Sequence, residues 1–453
     1  MSRERYRITG EIEVLSPLHV GTSLFRPIAI VTGKKGSNDA PLVAAIVRDF
    51  EDKPFIPGTA LKGLMLRLAE RLDEPSRVAL FGVAKNDESG KMGTAIFRGL
   101  AWKKPGATQN LPYAAGCATA VDKDGLGPGV FVSARTAIDR HSGTAEDNKL
   151  FFQEMVAPGA RFALDILVEG ADQAANVEGL LRLLAELAAV SGHGIGKNEA
   201  DGFGRIRLTG DLAIMHEKLD GQGDFVNGGQ AAALAQKWKT IYNKSQKQQP
   251  SGKQPWLKAL LLTCKDPFLV VDSSYAGSGK EVPQIVGQKD AGSLPLLLGS
   301  SLTGAMRARA RWMKALTARD PKAVDRTDHV VRDPKDAEGL TPVERLFGVT
   351  GFRGLLQVDA LKVLTAVPME IASVKLDRFT GGPFDNALFK TQAHRDVTVR
   401  VVLRLASREG VGKAEADDMD FATKLVGDMC KRGLVLGHGG SKGFGWFDVK
   451  EAP

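Results

Sequence analysis

Two stretches of this chain are nearly the same. Pro54-Phe55-Ile56-Pro57-Gly58-Thr59-Ala60-Leu61-Lys62-Gly63-Leu64-Met65 returns 241 positions later as Pro295-Leu296-Leu297-Leu298-Gly299-Ser300-Ser301-Leu302-Thr303-Gly304-Ala305-Met306. Three further motif pairs follow in the same order. Leu80-Phe81-Gly82 is echoed by Leu346-Phe347-Gly348, and Ile138-Asp139-Arg140 by Leu376-Asp377-Arg378. Gly192-His193-Gly194 with Gly202-Phe203-Gly204 is matched to Gly437-His438-Gly439 with Gly443-Phe444-Gly445. Solenoid units repeat every ~20–50 residues, far less than this period. The chain therefore reads as a duplicated domain, and what one copy does is expected twice.

Its 453 residues exceed what one core holds and suit two domains of about 200 residues each. The expected division is a first domain over 1–210, a linker over 211–255 and a second domain over 256–453. Within 211–255, Ala231 to Tyr242 reads as a short helix, and the Gln- and Lys-rich Asn243 to Lys253 as solvated chain. Cys117, Cys264 and Cys430 are scattered, with no Cys-x-x-Cys pair, which excludes a disulfide framework and a cysteine zinc site. No charged-then-apolar leader opens the sequence and no run of about 18 uncharged apolar residues follows. The expectation is a cytoplasmic protein without a membrane segment.

Each copy opens with an apolar–polar alternation, Ile8 to Leu15 and Leu257 to Leu262, the period of a half-buried strand. A helix follows the Gly-Thr/Ser motif. Thr59 is the expected N-cap in copy one, with Leu61, Leu64, Met65, Leu68 and Leu72 as its stripe. Ser300 or Ser301 is the expected cap in copy two, with Leu302, Ala305, Met306 and Met313. Strands at Ala160 to Val168 and Thr398 to Leu405, helices at Gly179 to Ala189 and Asp418 to Lys431, and closing strands complete each unit. Strand, helix, strands, helix, strand is the order of a ferredoxin-like α+β unit.

A net charge of +8 favours a polyanionic partner, while an aromatic content of 6% argues against binding by base stacking. Lys, Arg and backbone amides are then the expected contacts. Neither Gly-Lys pair makes a P-loop, because Gly196-Lys197 is preceded at the required position by Ser191 and followed by Asn198, and Gly279-Lys280 by Ser274 and Glu281. The late Gly-rich loops fit either a tight turn or a backbone approach to phosphate.

The Pro-Phe-Ile-Pro-Gly-Thr-Ala-Leu-Lys-Gly stretch before a helix, the central Asp-Arg and the late loop ending in Gly-Phe-Gly resemble the RAMP superfamily of CRISPR proteins. The nearest likeness is to the backbone subunits of type III effector complexes, and the duplication is similar to the fused double subunits of type III-D-like systems. The resemblance covers both copies. It implies two tandem ferredoxin-like, RRM-like RAMP domains with inserted loops and β-hairpin thumbs that kink a guide–target RNA duplex. The implied partners are a CRISPR guide RNA, its target RNA and other effector-complex subunits.

In that family a catalytic Asp precedes the Pro-Gly-Ser/Thr motif within Asp-x-Pro, followed by a basic–acidic pair. Asp39-Ala40-Pro41 with Arg48-Asp49 matches in copy one. Glu281-Val282-Pro283 with Lys289-Asp290 stands in copy two, with Asp272 upstream. Asp39 is thereby the candidate catalyst and holder of a divalent ion, Mg2+ or Mn2+, and Glu281 and Asp272 are its candidates in the second copy. The resemblance implies RNA contacts from Lys62 and Arg307 on the two helices and from Arg140 and Arg378 at the thumbs. It implies further contacts from His193, Lys197, His438 and Lys442 in the Gly-rich loops, with His19 facing RNA near the first strand. Two other readings stay open: the same fold as a purely structural binder, and a metal-free guide-processing endoribonuclease.

Overall fold

A computed structural model of the chain describes residues 3–27, 42–83, 90–103, 129–138, 145–170, 173–189, 192–220, 222–247, 256–271, 284–287, 294–316, 318–326, 329–406 and 416–452. The opening alternation becomes the strand Glu4–Val14, with Tyr6, Ile8, Ile12 and Val14 fully buried on one face. It lies between two antiparallel neighbours, Arg161–Gly170 and Arg205–Leu219. Ala95–Phe97 and Leu100–Lys103 flank Arg161–Gly170 on its other side. The spatial order, last strand, first, third, second, is that of a ferredoxin-like sheet, with the helices Gly58–Leu68 and Ala174–Leu187 as its crossovers.

The second copy repeats this order. Leu257–Cys264 lies between Trp446–Glu451 and Pro383–Leu405, and Leu356–Leu376 pairs with Pro383–Leu405. Its crossover helices are Gly299–Ala315 and Ala416–Arg432. The α+β class and the tandem of ferredoxin-like units are both as expected from the sequence.

Both first crossover helices begin earlier than the sequence suggested, by two residues in copy one and by two or three in copy two. Pro57 and Leu298 hold the cap positions without a side-chain hydrogen bond, so Thr59, Ser300 and Ser301 lie inside the first turn. The apolar stripes hold at Leu61, Leu64, Met65 and Leu68, and at Leu302 and Met306, all buried. Leu72 falls beyond the helix as the extended residue after a short 3-10 turn.

The segment expected as a linker belongs in large part to the first copy. The closing strand runs on to Leu219, and the helix Ala231–Lys247 sends Leu234 and Trp238 into the first core, at 3% and 1% exposure. Its polar composition reflects the outer face only; apolar residues at helical spacing seat the inner one. Residues 248–255 lie outside the described set.

Each copy carries β-structure beyond its ferredoxin-like order, packed on the core in copy one and extended outward in copy two. In copy one, Gly21–Pro27, Leu42–Ile46, Ala145–Val156 and Val130–Ile138 form a separate four-stranded sheet. In copy two, Leu356–Leu376 and Pro383–Leu405 run paired from Leu356↔Leu405 to Leu376↔Pro383. At about 3.3 Å per residue, strands of this length reach roughly 70 Å. Their base is buried at Leu356, Gln357 and Val358 and their outer half is exposed.

The second core is stapled by buried carboxylates. Asp325 meets Arg307, Asp418 meets Arg345, and Glu344 meets Arg326 at 2.6 Å. Burial alone would raise the Glu344 carboxyl, but the Arg326 guanidinium, the Thr341 and Arg326 amides and His329 outweigh it and hold it at about 2. Replacing Trp238 by Ala is expected to destabilise the first copy by about 3–5 kcal/mol in denaturant unfolding. A solvated linker residue would change it by less than about 0.5 kcal/mol.

Candidate nucleic-acid interface

The two Gly-rich loops share one backbone. Gly192, Gly196, Asn198, Gly202 and Gly204 take φ of 64°, 86°, 61°, 79° and 65°; Gly433, Gly437, Gly439, Gly443 and Gly445 take 72°, 83°, 83°, 82° and 70°. The Lys197 amide donates to the His19 carbonyl, and the His438 amide to that of Leu269. Each loop ends on a short 3-10 turn, Glu199–Asp201 and Gly440–Lys442. The equivalence therefore keeps the same 241-residue offset as the opening motif. This shifts the expected alignment, which paired His193 with His438: His193 corresponds to Leu434, Lys197 to His438, and Asp201 to Lys442.

The first of these loops is the joint between the copies. A Cβ at Gly299 would fall 1.7 Å from the Asp201 carbonyl oxygen, so only glycine lets the loop reach this helix. Thr303 donates to Asp201 Oδ1 at 2.7 Å, and the Arg353 guanidinium meets Glu199 at 3.1 Å. Arg205, just past the loop, pairs with Asp359 at 2.7 Å, and Asp359 also receives Arg404. Phe203, 2% exposed, packs with Phe131 and Met155 of copy one and with Leu296 and Leu298 of copy two. The Arg135 guanidinium sits 5.2 Å from the Phe203 ring centre. An open cleft of about 490 Å³ beside the joint is lined by Glu199, Asp201, Arg307 and Arg353.

This geometry sorts the RNA candidates. Lys62 is half-buried on the first turn of Gly58–Leu68; Lys197, His438 and Lys442 are exposed on the loops. Arg378 is exposed at the tip of the long hairpin. Its neighbour Asp377 does not pair with it; that carboxylate accepts the Phe379 and Thr380 amides at 2.9 and 2.7 Å, shaping the turn, and sits below the ordinary carboxylate range for that reason. Arg307 instead grips buried Asp325 through two hydrogen bonds.

Both remaining histidines are structural. His193 holds the Glu186 carbonyl at 2.9 Å, closing the end of the helix Ala174–Leu187. His19, expected to face RNA, is 3% exposed, with Nδ1 2.7 Å from the Glu154 carbonyl, and burial pushes its pKa down. An imidazole held neutral away from solvent has no charge to offer a phosphate.

Asp39, Arg140, Asp272 and Glu281 lie outside the described residues. The flanks of 28–41 are described, and sequence reasoning missed their organiser. Glu154, fully buried, accepts the Ile46 amide at 3.1 Å and Arg48 Nη2 at 3.3 Å, and is paired with Arg26. A glutamate within an apolar strand, Phe151-Phe152-Gln153-Glu154-Met155, was the available signal. Arg48 is thus spent on Glu154 and Asp52, while Asp49 accepts the Glu51 and Lys53 amides. These described carboxylates are committed to Arg and amide partners. Among the described residues no group of three or more His, Cys, Asp or Glu side chains gathers as a metal site.

Gly299→Ala tests the joint. In a free helix the change would stabilise by about 0.5–1 kcal/mol. Against the Asp201 carbonyl it is expected instead to cost about 1–3 kcal/mol as overpacking, read by denaturant unfolding of the full chain.

No curated protein matches the chain. The profile of the RAMP superfamily matches residues 11–207 and again 262–448. Those spans cover most of the two sheets, take in the joint residues from both copies and leave out residues 208–261 between them, and the chain belongs to the RAMP superfamily, with two RAMP units in tandem.

Proposed function

We propose that this chain is a double backbone subunit of a CRISPR effector complex of the type III kind, holding guide RNA along both of its copies. The observation that best supports this reading is the tandem itself: two RAMP units of identical sheet order, docked through one loop, each with β-structure beyond that order. A polynucleotide is a repeating polyanion, and a repeating basic protein surface is its natural complement. Lys62 and Lys197 offer cations at helix and loop positions, His438 offers an exposed ring on the second loop, and Arg378 offers a cation at a hairpin tip. Target RNA paired to the guide, and neighbouring effector subunits in the cytoplasm, complete the set of partners. Among the described residues no helix is long and apolar enough to cross a membrane.

The same proposal includes target cleavage. RNA carries its own nucleophile. The 2′-oxygen attacks the adjacent phosphorus, the P–O5′ bond breaks, the departing O5′ takes a proton from solvent water, and a cyclic phosphate and a 5′-hydroxyl result. The protein has to hold that geometry in line and accept the 2′-hydroxyl proton. Asp39 is the candidate acceptor in copy one; Glu281 and Asp272 hold that place in copy two. A divalent ion, Mg2+ or Mn2+, at Asp39 is the cofactor of this reading.

The chain purified with its complex is expected to carry RNA of discrete length. Asp39→Ala is expected to lower target cutting by about 100-fold or more while leaving that RNA bound. Unchanged cutting would leave a structural binder, and cutting that persists in EDTA would assign a metal-free reaction.

A further inference from the structure

The faces of the two sheets turned away from their helices carry different arrangements of charge. Pro17 and Pro267 receive the Gly204 and Gly445 amides in the same way, which sets Glu11 level with Leu261 and Glu13 with Thr263. Strand pairing then sets Asp165 level with Val402, Ala163 with Arg400 and Thr209 with Lys450. In copy one the acids of this face answer its bases. Glu11 accepts from Lys103 and Arg161, Asp165 from Arg7 and Arg98, and Glu13 from Arg207. In copy two all three acidic positions are uncharged, as Leu261, Thr263 and Val402.

Copy two has a row of cations instead. Lys450, Leu261, Arg400 and Lys362 are directly paired neighbours on four adjacent strands, Trp446–Glu451, Leu257–Cys264, Pro383–Leu405 and Leu356–Leu376. Their neighbours along the strands, Val449, Leu260, Leu262, Val399, Val401 and Val363, lie in the core, so the row faces outward. All three cations are exposed. At about 4.8 Å between strands the row is roughly 14 Å long. The acids of these strands are used elsewhere: Asp359 by Arg404 and Arg205, Glu451 by Lys258, Glu370 by Lys390 and Asp396 by Arg395. Among the described residues no acid pairs with Arg400, Lys362 or Lys450. The next row on one side is Asp448, Thr263, Thr398 and Thr365; on the other, Ala259, Val402 and Ala360 stand together.

Three cations in a line, without acids of their own, complement an anion from outside, and a line of charge is the form of a polynucleotide backbone. We infer that the outward face of the second sheet is a further RNA-binding site, separate from the loops, the helix turn and the hairpin tip. Its ligand is a single strand lying across the four β-strands, with phosphates on Lys450, Arg400 and Lys362. An acidic protein surface would answer scattered cations equally well; the single row favours a chain with charge at regular intervals. The small side chains Ala259, Val402 and Ala360 beside the row leave room for sugars and bases to lie flat. No ring stands in these three rows, so the contacts are to the backbone and tolerate any sequence. The equivalent face of copy one, neutralised by its own acids, is not such a site.

The test uses the full-length chain freed of RNA, with a labelled oligouridylate of about 12 nucleotides as probe and fluorescence anisotropy over a salt series. To read the sheet by itself, Lys62, Lys197 and Arg378 are first changed to Ala. In that background, Arg400→Ala, Lys362→Ala and Lys450→Ala together are expected to weaken binding at least about tenfold at low salt. They are also expected to flatten the slope of log K against log salt by about 2, the share of three phosphates. Leu261→Glu removes no cation and installs the acid that Glu11 supplies in copy one; it is expected to weaken binding at least about fivefold. Lys103→Ala removes a cation already answered by Glu11 and is expected to change binding less than about twofold. Unchanged affinity and slope in the triple variant would overturn the proposal. Loss of a protein from the purified complex with RNA binding unchanged would assign the face to an acidic partner and also overturn it. The background variant reports separately on the guide path: if it bound the probe like the wild type, the guide contacts proposed above would fail and the sheet would still be tested.

Discussion

Among the described residues, the two copies of this chain meet around one close approach, the Asp201 carbonyl against the first turn of the helix at Gly299. Glycine permits that approach, Thr303 and Arg353 lock it, and Phe203 seals it with Leu296 and Leu298. Its parts come from both copies of one repeated motif. The Pro-x-x-x-Gly stretch that repeats at 241 residues supplies the head, and the Gly-rich loop at the same offset supplies the tail. In copy one the equivalent Gly58 instead admits the Phe97 carbonyl of its own sheet, where a Cβ would fall 2.1 Å away. One motif thus serves an internal contact in the first copy and the joint in the second.

The joint also explains why so much charge lies near it and so little of it is free. Glu199 answers Arg67 from its own copy and Arg353 from the next; Asp359 answers Arg205 and Arg404. Partly buried pairs of this kind carry specificity and geometry more than raw stability. The cations left for guide RNA are the half-buried Lys62 on the helix and the exposed ones on the loops and the hairpin tip. Net charge alone would not have separated the two sets.

Much of this was legible in the sequence, for identifiable reasons. The period of two in Glu4–Val14 and the stripe of Leu61, Leu64 and Met65 reported burial directly, and both appear as buried faces. The duplication foretold the tandem. What failed did so because composition averages over faces. The helix Ala231–Lys247 looked like linker because its outer face is Lys and Gln, while Leu234 and Trp238, with Ile241 and Tyr242 packed beside them, seat it. His19 looked free to meet RNA, but a backbone carbonyl across the sheet claimed it. Motif spelling also misled: two Gly-His-Gly triplets invited an alignment that the φ angles reject in favour of the offset. Glu154 was visible as a lone glutamate in an apolar strand, but its two partners, Arg26 and Arg48, lie more than a hundred residues away and no local pattern names them.

The central claim is that one loop is docked and its twin is not. Hydrogen exchange measures it with an internal control, because the two loops make the same backbone hydrogen bonds. The amides of Asp201, Gly202 and Phe203 donate to Asn198, Glu199 and Asn198, as those of Lys442, Gly443 and Phe444 donate to Gly439, Gly440 and Gly439. Local structure alone would give both loops the same protection. The docked arrangement predicts that residues 198–203 exchange at least about tenfold more slowly than 439–444 in the isolated chain. Equal exchange in the two loops would contradict it.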